Sequence, residues 1–486
     1  MNKMKMLVPL IVMILISCQA SQRKIVIALA STPRSLNPLR YKELASLTIL
    51  CNIYEPLVTE DEAYNIRPLL AKFWERKDET TWLFYIRKGV KFHNGKPLTA
   101  YDVAYSFYYP RLLDKSDFRG IEVFVDTIYA SNDSVVVFKT KFPYEYLLVD
   151  LISYFIIPQG FNPDAGLPCG TGPYRVIASG KNFVIVKRWE KYWGERPYID
   201  EAKFIFVENL EERIRKFTTG EVDIIDYVPL QLSDTITKYG KLVYTPESSV
   251  RGITFNLKTY PFDQLEFRHA VSMAINREEL INDYYKNLAS SANQIFPPSI
   301  VEYIRNLPPL EYDTVKARKI FQKYNNQTPY LLYYGRAVKP LGDRIVSQLQ
   351  EAGLNVRGNP LPSPEFWEKV KAKKFQFYLA AVVFESRIGF SHLLNYYHSP
   401  KESTSFGISN RSSYANSVVD SLVEMAMRTA DSRVRVQMVS EAVGIIMRDM
   451  PFCPITFERT YFGTKRDIEW TPSIDGRIYI SRIKRK

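Results

Sequence analysis

The chain has 486 residues, enough for two or three domains at about 150 residues each, and 46% of them are hydrophobic, ample for packed cores. Its formal charge of +13 is spread along the sequence, with Lys and Arg interleaved among Asp and Glu and one short basic run, Arg482-Ile483-Lys484-Arg485-Lys486. That distribution excludes the basic stripe of a nucleic-acid binder and suits a solvated surface facing anionic lipid or solute.

At the start of the chain, Lys3 and Lys5 precede an apolar run from Met6 to Ile16 that ends in Leu15-Ile16-Ser17-Cys18. The run falls short of the roughly 20 residues a bilayer span requires, and its basic flank and small residue before the cysteine mark a secretory leader. The Leu-Ile-Ser-Cys ending resembles a lipobox. It implies a leader over residues 1–17 and a lipidated Cys18 that opens a tether over 18–23, holding the protein at a membrane without spanning it. Nothing later reads as a transmembrane span. Cys51, Cys169 and Cys453 then remain, an odd number with no zinc spacing. They are buried thiols, or one bridge and a spare.

Period-two alternation predicts strands at Lys24 to Ala30, Val135 to Lys139, Phe183 to Lys187 and Lys203 to Val207. Helical spacing runs from Arg268 to Tyr285 through Ala270, Val271, Ala274, Ile275 and Ile281. It recurs from Val418 to Met447, with a break near Asp431 and Ser432. Strands and helices mixed in this way argue for an α/β chain.

A succession of blocks follows the leader. Pro33-Arg34-Ser35-Leu36-Asn37-Pro38 comes first, then Ile53-Tyr54-Glu55-Pro56-Leu57-Val58 and Pro68-Leu69-Leu70-Ala71-Lys72-Phe73-Trp74-Glu75. The longest stretch runs from Thr81-Trp82-Leu83-Phe84 through Gly89, Phe92-His93-Asn94-Gly95 and Leu98-Thr99-Ala100 to Asp102 and Phe107. Gly170-Thr171-Gly172-Pro173-Tyr174, Tyr192-Trp193-Gly194, Phe255-Asn256 and Arg268 to Glu278 complete the order. Taken together they resemble the large dipeptide-, oligopeptide- and nickel-type binding proteins of ABC importers, over nearly the whole mature chain. The Gly170 block lacks G-x-G-x-x-G spacing and a phosphate-binding Lys, so it reads as a tight turn leading into a strand.

The resemblance implies the type II periplasmic-binding-protein fold: two lobes around a ligand cleft, the first built from both chain ends and carrying an extra subdomain. Lobe I is placed at 24–247 with the subdomain at about 51–165, lobe II at 248–449, and the return to lobe I at 450–486. The hinge is expected around Glu247-Ser248-Ser249-Val250-Arg251 and Asp449-Met450-Pro451, with closure about it on binding solute. In peptide-binding relatives an acidic side chain in the second lobe meets the ligand's α-amine. The corresponding stretch here is Phe384-Glu385-Ser386-Arg387, which makes Glu385 the candidate amine partner. A Glu stands where the family has Asp, and Arg387 has no family equivalent, so Arg387 is a candidate for a ligand carboxylate or phosphate. The competing assignment pairs Glu385 with Arg387 at the surface. Thr32 and Arg34, after the opening strand, are candidate contacts from the first lobe. Asn256 is placed to bond ligand or pin the hinge, and Tyr54 and Glu55 to do so or brace the fold.

The histidines His93, His269, His392 and His398 lack metal-ligand spacing, and no metal or cofactor is implied. Catalytic signatures are missing too: no G-x-S-x-G, no H-E-x-x-H, and the paired carboxylates Glu211-Glu212 and Glu278-Glu279 lie side by side on helices, facing different directions. The expectation is a monomeric, non-enzymatic peptide-capturing component of an ABC importer, with permease and ATPase subunits as partners. The alternatives keep the fold but bind a nickel chelate, haem or a sugar, or serve as a sensor or adhesin; a secreted hydrolase is the rival class.

Overall fold

The computed structural model describes residues 23–486, except 41–42, 62–64, 113–120, 122–123, 325, 385–386, 402–403 and 405. The leader and Cys18 therefore lie outside the described residues. The opening alternation becomes the strand Lys24–Leu29, with Ile25, Ile27 and Leu29 buried on one face. It pairs in parallel with Glu201–Phe206 on one side and Ile224–Ile225 on the other. Parallel neighbours need a crossover, here the helix Leu210–Thr219. Asn209 caps its start by accepting from Glu212 N at 2.9 Å, and Gly220, at φ +84°, ends it.

These strands form the middle of a seven-stranded sheet. Phe183–Arg188 and Tyr174–Gly180 complete one side, Tyr461–Thr464 and Lys241–Tyr244 the other. Both ends of the chain thus build one lobe. A six-stranded sheet builds the second, in the order Ser290–Ser291, Phe452–Glu458, Ser249–Phe255, Phe377–Val383, Tyr330–Gly335 and Val356–Leu361. A third, antiparallel sheet holds Ala71–Arg76, Thr81–Ile86, Val135–Thr140 and Val125–Asn132. Among the described residues no helix is long and apolar enough to cross a membrane.

Each predicted strand falls within two residues of an observed one. The helical stretch from Arg268 divides into Leu265–Met273 and Arg277–Asp283, because Asn276 caps the second helix by accepting from Glu279 N at 3.1 Å. Asp431 does the same between Ser417–Arg428 and Ser432–Asp449, accepting from Arg433 N at 2.8 Å. The return to the first lobe comes later than expected. Met450, at φ +47°, closes a helix, and Pro451 leads into Phe452–Glu458, which still pairs with Ser249–Phe255 in the second sheet. The chain crosses only at Arg459-Thr460, so the proline marks a helix stop rather than a lobe boundary.

The long family-like stretch packs as one unit. Thr81–Ile86 is a strand, Gly89 and Gly95 turn the chain at positive φ, and Asp102 receives Thr99 N at 2.8 Å to start the helix Ala100–Tyr108. The Gly170 block is a close approach: a Cβ on Gly170 would lie 2.0 Å from Ile53 O. His93 seals the turn through Nε2 to Gly172 O at 2.9 Å, and burial pushes its imidazole down to about 4. Tyr54 and Glu55 brace the same junction. Tyr54 OH accepts from Cys169 N at 3.1 Å, and the buried Glu55 carboxylate accepts from Tyr192 OH at 2.7 Å, Thr171 Oγ1 at 2.8 Å and Trp193 Nε1 at 2.9 Å. Cys51, Cys169 and Cys453 are all buried free thiols, which settles the cysteine alternatives.

The third sheet also leans on the second lobe. Tyr146 stacks on Phe390 with ring centroids 4.0 Å apart, Phe124 meets Phe406 at 6.3 Å, and all four rings belong to one buried cluster.

Candidate ligand cleft

In α/β sheets, ligands bind outside the carboxyl ends of parallel strands, where loops diverge and backbone groups point outward. In the first lobe those exits are Ala30 to Thr32, Val207-Glu208 and Asp226-Tyr227, level with one another by register. Buried charge pins them. Asp226 Oδ1 accepts from Ala30 N at 2.6 Å, and Arg213 Nη1 donates to Val207 O at 2.7 Å. Burial raises the Asp226 carboxyl to about 7 against the pull of the Arg213 charge.

In the second lobe Phe377–Val383 runs parallel to Tyr330–Gly335 and leaves the sheet at Val383-Phe384. Ser249 pairs with both Val383 and Glu458, so this exit and both interlobe crossings share one edge of the sheet. Phe384 N donates to Ser248 O at 2.8 Å, tying exit to crossing. The two crossings also bond to each other: Thr245 N to Thr460 O and Thr460 N to Thr245 Oγ1, each at 3.0 Å. Glu458 anchors the return, accepting from Arg251 Nη2 at 2.9 Å and from Tyr285 OH. Glu247 anchors the outgoing segment, accepting from Ser290 Oγ at 2.9 Å beside Arg459 at 3.5 Å. The two crossings form a two-stranded ribbon held at both margins.

Charged side chains from both lobes act on Glu60. Glu60 ends the short strand Val58–Glu60, and its carboxyl is raised to about 7, chiefly by burial and then by Asp475, while Arg387 and Arg477 act in the opposite direction. Arg387 belongs to the second-lobe exit. Its Nε donates to Ser299 O at 2.7 Å and its carbonyl accepts from Val301 N at 2.8 Å. Arg477 stands 3.5 Å from Asp475, which also accepts from Tyr479 OH at 2.9 Å. Glu60, Asp475 and Arg477 were not legible as site residues; the one local sign is the Asp475-Gly476-Arg477 turn, with Gly476 at φ +68°.

The candidate contacts separate. Thr32 is exposed at the first-lobe exit and donates through Oγ1 to Glu208 Oε1 at 3.1 Å; Arg34 is exposed two residues on, its backbone N bound to Glu43 Oε1 at 2.9 Å. Phe384 lies at the second-lobe exit with its ring turned inward, 5.7 Å from Phe296 and 4.9 Å from His392. Glu385 and Ser386 fall outside the described residues. Asn256 sits at the opposite end of Ser249–Phe255, about 23 Å from the crossing at 3.3 Å per residue. Its Nδ2 donates to Phe375 O at 2.9 Å, so it braces a loop and does not join the others. His398 bonds Ser399 O at 2.7 Å and Glu424 at 3.2 Å, and burial holds His392 down to about 3. Among the described residues no group of three or more His, Cys, Asp or Glu is placed to hold a metal.

Residues 65–403 match the model for the middle region of bacterial extracellular solute-binding proteins, family 5. The chain belongs to that family. It is 24% identical to the glutathione-binding protein GsiB of Salmonella typhimurium over 469 residues, covering 90% of this chain and 89% of that one. To the dipeptide-binding protein DppE of Bacillus subtilis it is 24% identical over 473 residues, with 87% and 85% covered. Among solved structures, the Helicobacter pylori periplasmic binding protein DppA in complex with the peptide STSA superposes with a TM-score of 0.82 at 21% identity, covering 95% and 98%. The Bacillus subtilis oligopeptide-binding protein AppA in complex with a nonapeptide gives 0.81 at 20%, covering 96% and 99%. The fold is the type II, two-lobed fold of the large peptide-binding class.

Proposed function

We propose that this protein captures peptides in the cleft between its lobes and delivers them to an ABC permease, acting as a binding subunit without catalysis. The observation that carries the reading is the second-lobe strand exit bonded to the interlobe crossing, Phe384 N to Ser248 O at 2.8 Å, with Arg387 held beside it by Ser299 O at 2.7 Å and its charge pulling the first-lobe Glu60 carboxyl down. Arg387 set against the acidic side chains Glu60 and Asp475 brings groups of both signs together, as a zwitterionic ligand whose amine and carboxylate must both be met requires. The peptide-binding relatives support the same ligand class. On this reading the first lobe comprises residues 24–247 and the segment after 459, the second lobe the residues between. Thr32, Glu60 and Arg477 of the first lobe and Phe384, Glu385, Ser386 and Arg387 of the second are the proposed ligand contacts, Glu385 meeting the α-amine. Cys18 carries the lipid that anchors the monomer to a membrane, in the periplasm or at the extracellular face.

Native mass spectrometry of the chain from Gln19 onward, as purified and then denatured, tests the ligand class. Co-purifying peptides, lost in Glu385→Ala, are the expected result. A sugar, haem or nickel chelate in their place would leave the fold standing and remove the peptide assignment.

A further inference from the structure

A groove of about 1400 Å³ opens at the end of the first lobe opposite the cleft, between Arg23-Lys24, the Arg188–Asp200 connection and the Ser481–Lys486 segment. Seven Lys and Arg side chains line it against two carboxylates. Five of these cations are paired: Lys24 with Glu201 at 3.1 Å, Arg188 with Asp200, Arg196 with Glu190 at 3.5 Å, Arg485 with Asp467 at 2.7 Å and Lys486 with Glu469 at 2.8 Å. Those lysines and Arg196 are more than half exposed, and exposed pairs of this kind exchange partners at little cost. Lys484 makes no ion pair among the described residues, and Arg23 rests over the Tyr198 ring at 4.0 Å. Tyr198 adds an amphipathic ring with its OH tied to Arg485 O at 2.8 Å, the residue type that settles at bilayer interfaces.

Position decides what such a groove meets. Arg23 is five residues from Cys18, so the covalent chain holds it within about 18 Å of the anchor point. The groove surrounds the start of Lys24–Leu29, whereas the cleft lies at that strand's carboxyl end, about 20 Å away. We infer that this groove docks on the anionic headgroups of the membrane that holds the protein, turning the cleft away from the bilayer toward arriving solute. The inference rests on the lipid-anchor reading of Cys18. The anchor supplies retention and the groove supplies orientation, because each cation near an anionic leaflet contributes roughly fivefold in binding.

The test is co-sedimentation of the unlipidated chain from Gln19 onward, which contains every strand of the three sheets. The expected result is binding to phosphatidylglycerol-containing vesicles at low salt, release at high salt, and no binding to pure phosphatidylcholine. Reversing Arg196→Glu, Lys484→Glu and Lys486→Glu together weakens binding by about a hundredfold or more, and Lys484→Glu alone by at least about fivefold. Reversing the exposed second-lobe residues Lys316→Glu, Lys319→Glu and Lys371→Glu makes the same change in net charge and leaves most of the binding. Equal loss in both triple variants, or a wild-type groove that takes inorganic phosphate but ignores the vesicles, overturns the inference. The mass of the protein extracted from its native membrane reports the Cys18 lipid separately, so failure of the anchor reading and failure of the groove are distinguishable.

Discussion

Replacing Arg387 by Ala removes the cation that the second lobe sets against Glu60. The guanidinium is held in place by its Nε bond to Ser299 O at 2.7 Å, so it meets a ligand carboxylate already oriented. A hydrogen bond to a charged group is worth about 2 kcal/mol, and its loss weakens affinity by roughly 30-fold. The assay is titration calorimetry with one peptide in two forms, free acid and C-terminal amide. Wild-type protein should prefer the free acid by about the same factor, and Arg387→Ala should lose that preference while binding the amide nearly as well as wild type does. The Glu60 carboxyl should also move further up, because the opposing charge is gone. If the variant weakens both peptides equally, Arg387 acts only through Ser299 and the hinge. If neither peptide is affected, it lies outside the ligand's reach. Either result refutes carboxylate recognition at this side chain.

Gly170→Ala places a Cβ 2.0 Å from Ile53 O; backbone has no room to yield there, so urea denaturation should show a loss of at least about 3 kcal/mol, and wild-type stability would contradict the packing. Stability should also fall as pH rises from about 4.5 to 7. Burial raises Glu55, Glu60, Asp226 and Glu302 to about 7, so in that window the folded state keeps protons the unfolded state has released. His93 and His392, pushed down to about 4 and about 3 by burial, oppose this below the ordinary histidine range. Four carboxyls against two imidazoles leave a net slope of at most roughly 2.7 kcal/mol per pH unit, and thermal melts that rise between pH 5 and pH 7 would disprove the assignment. Tyr146→Ala removes the ring stacked on Phe390 and should lower stability by about 3 kcal/mol, with scattering in solution showing a larger mean dimension if that contact also holds the lobes together.

Much of the architecture could be read from the sequence because its signals are local. Lys24–Leu29 shows its period of two, Asn276 and Asp431 punctuate helices, and the run from Thr81 to Phe107 carries strand, turn glycines and capping pair within one continuous stretch. At the cleft the sequence offered one local signal, the Phe384 to Arg387 stretch after a strand, and of that stretch the described residues Phe384 and Arg387 lie at the second-lobe exit. Glu60 and Asp475 are charged residues beside turns, indistinguishable in sequence from solvated surface. What joins them is a fold that brings both chain ends to one sheet, and no period or spacing encodes that contact. Asn256 misled for the converse reason: it follows the crossing strand, but a strand is long, and its far end belongs to another part of the lobe. Pro451 misled likewise, since a proline reports a break in a helix and carries no information about which sheet the next strand joins.

On the proposed reading, lobe motion works against two contacts of different chemistry. The ribbon at Thr245 and Thr460 is polar, with its backbone groups bonded across the two crossings, so it can twist while keeping those bonds. The contact of the third sheet with the second lobe is apolar: Tyr146 on Phe390, Phe124 near Phe406, with Glu145 N donating to Met427 O at 3.3 Å alongside. Separating it exposes aromatic surface at roughly 25 cal/mol per Å², a cost the ribbon does not carry. Ligand need therefore supply only the difference between that apolar contact and the gain in freedom on opening, and affinity becomes sensitive to residues that never touch the solute. Tyr146 sits within that contact, its ring stacked on Phe390 and 5.5 Å from the cation of Arg435, so substitutions there should change affinity without touching the solute.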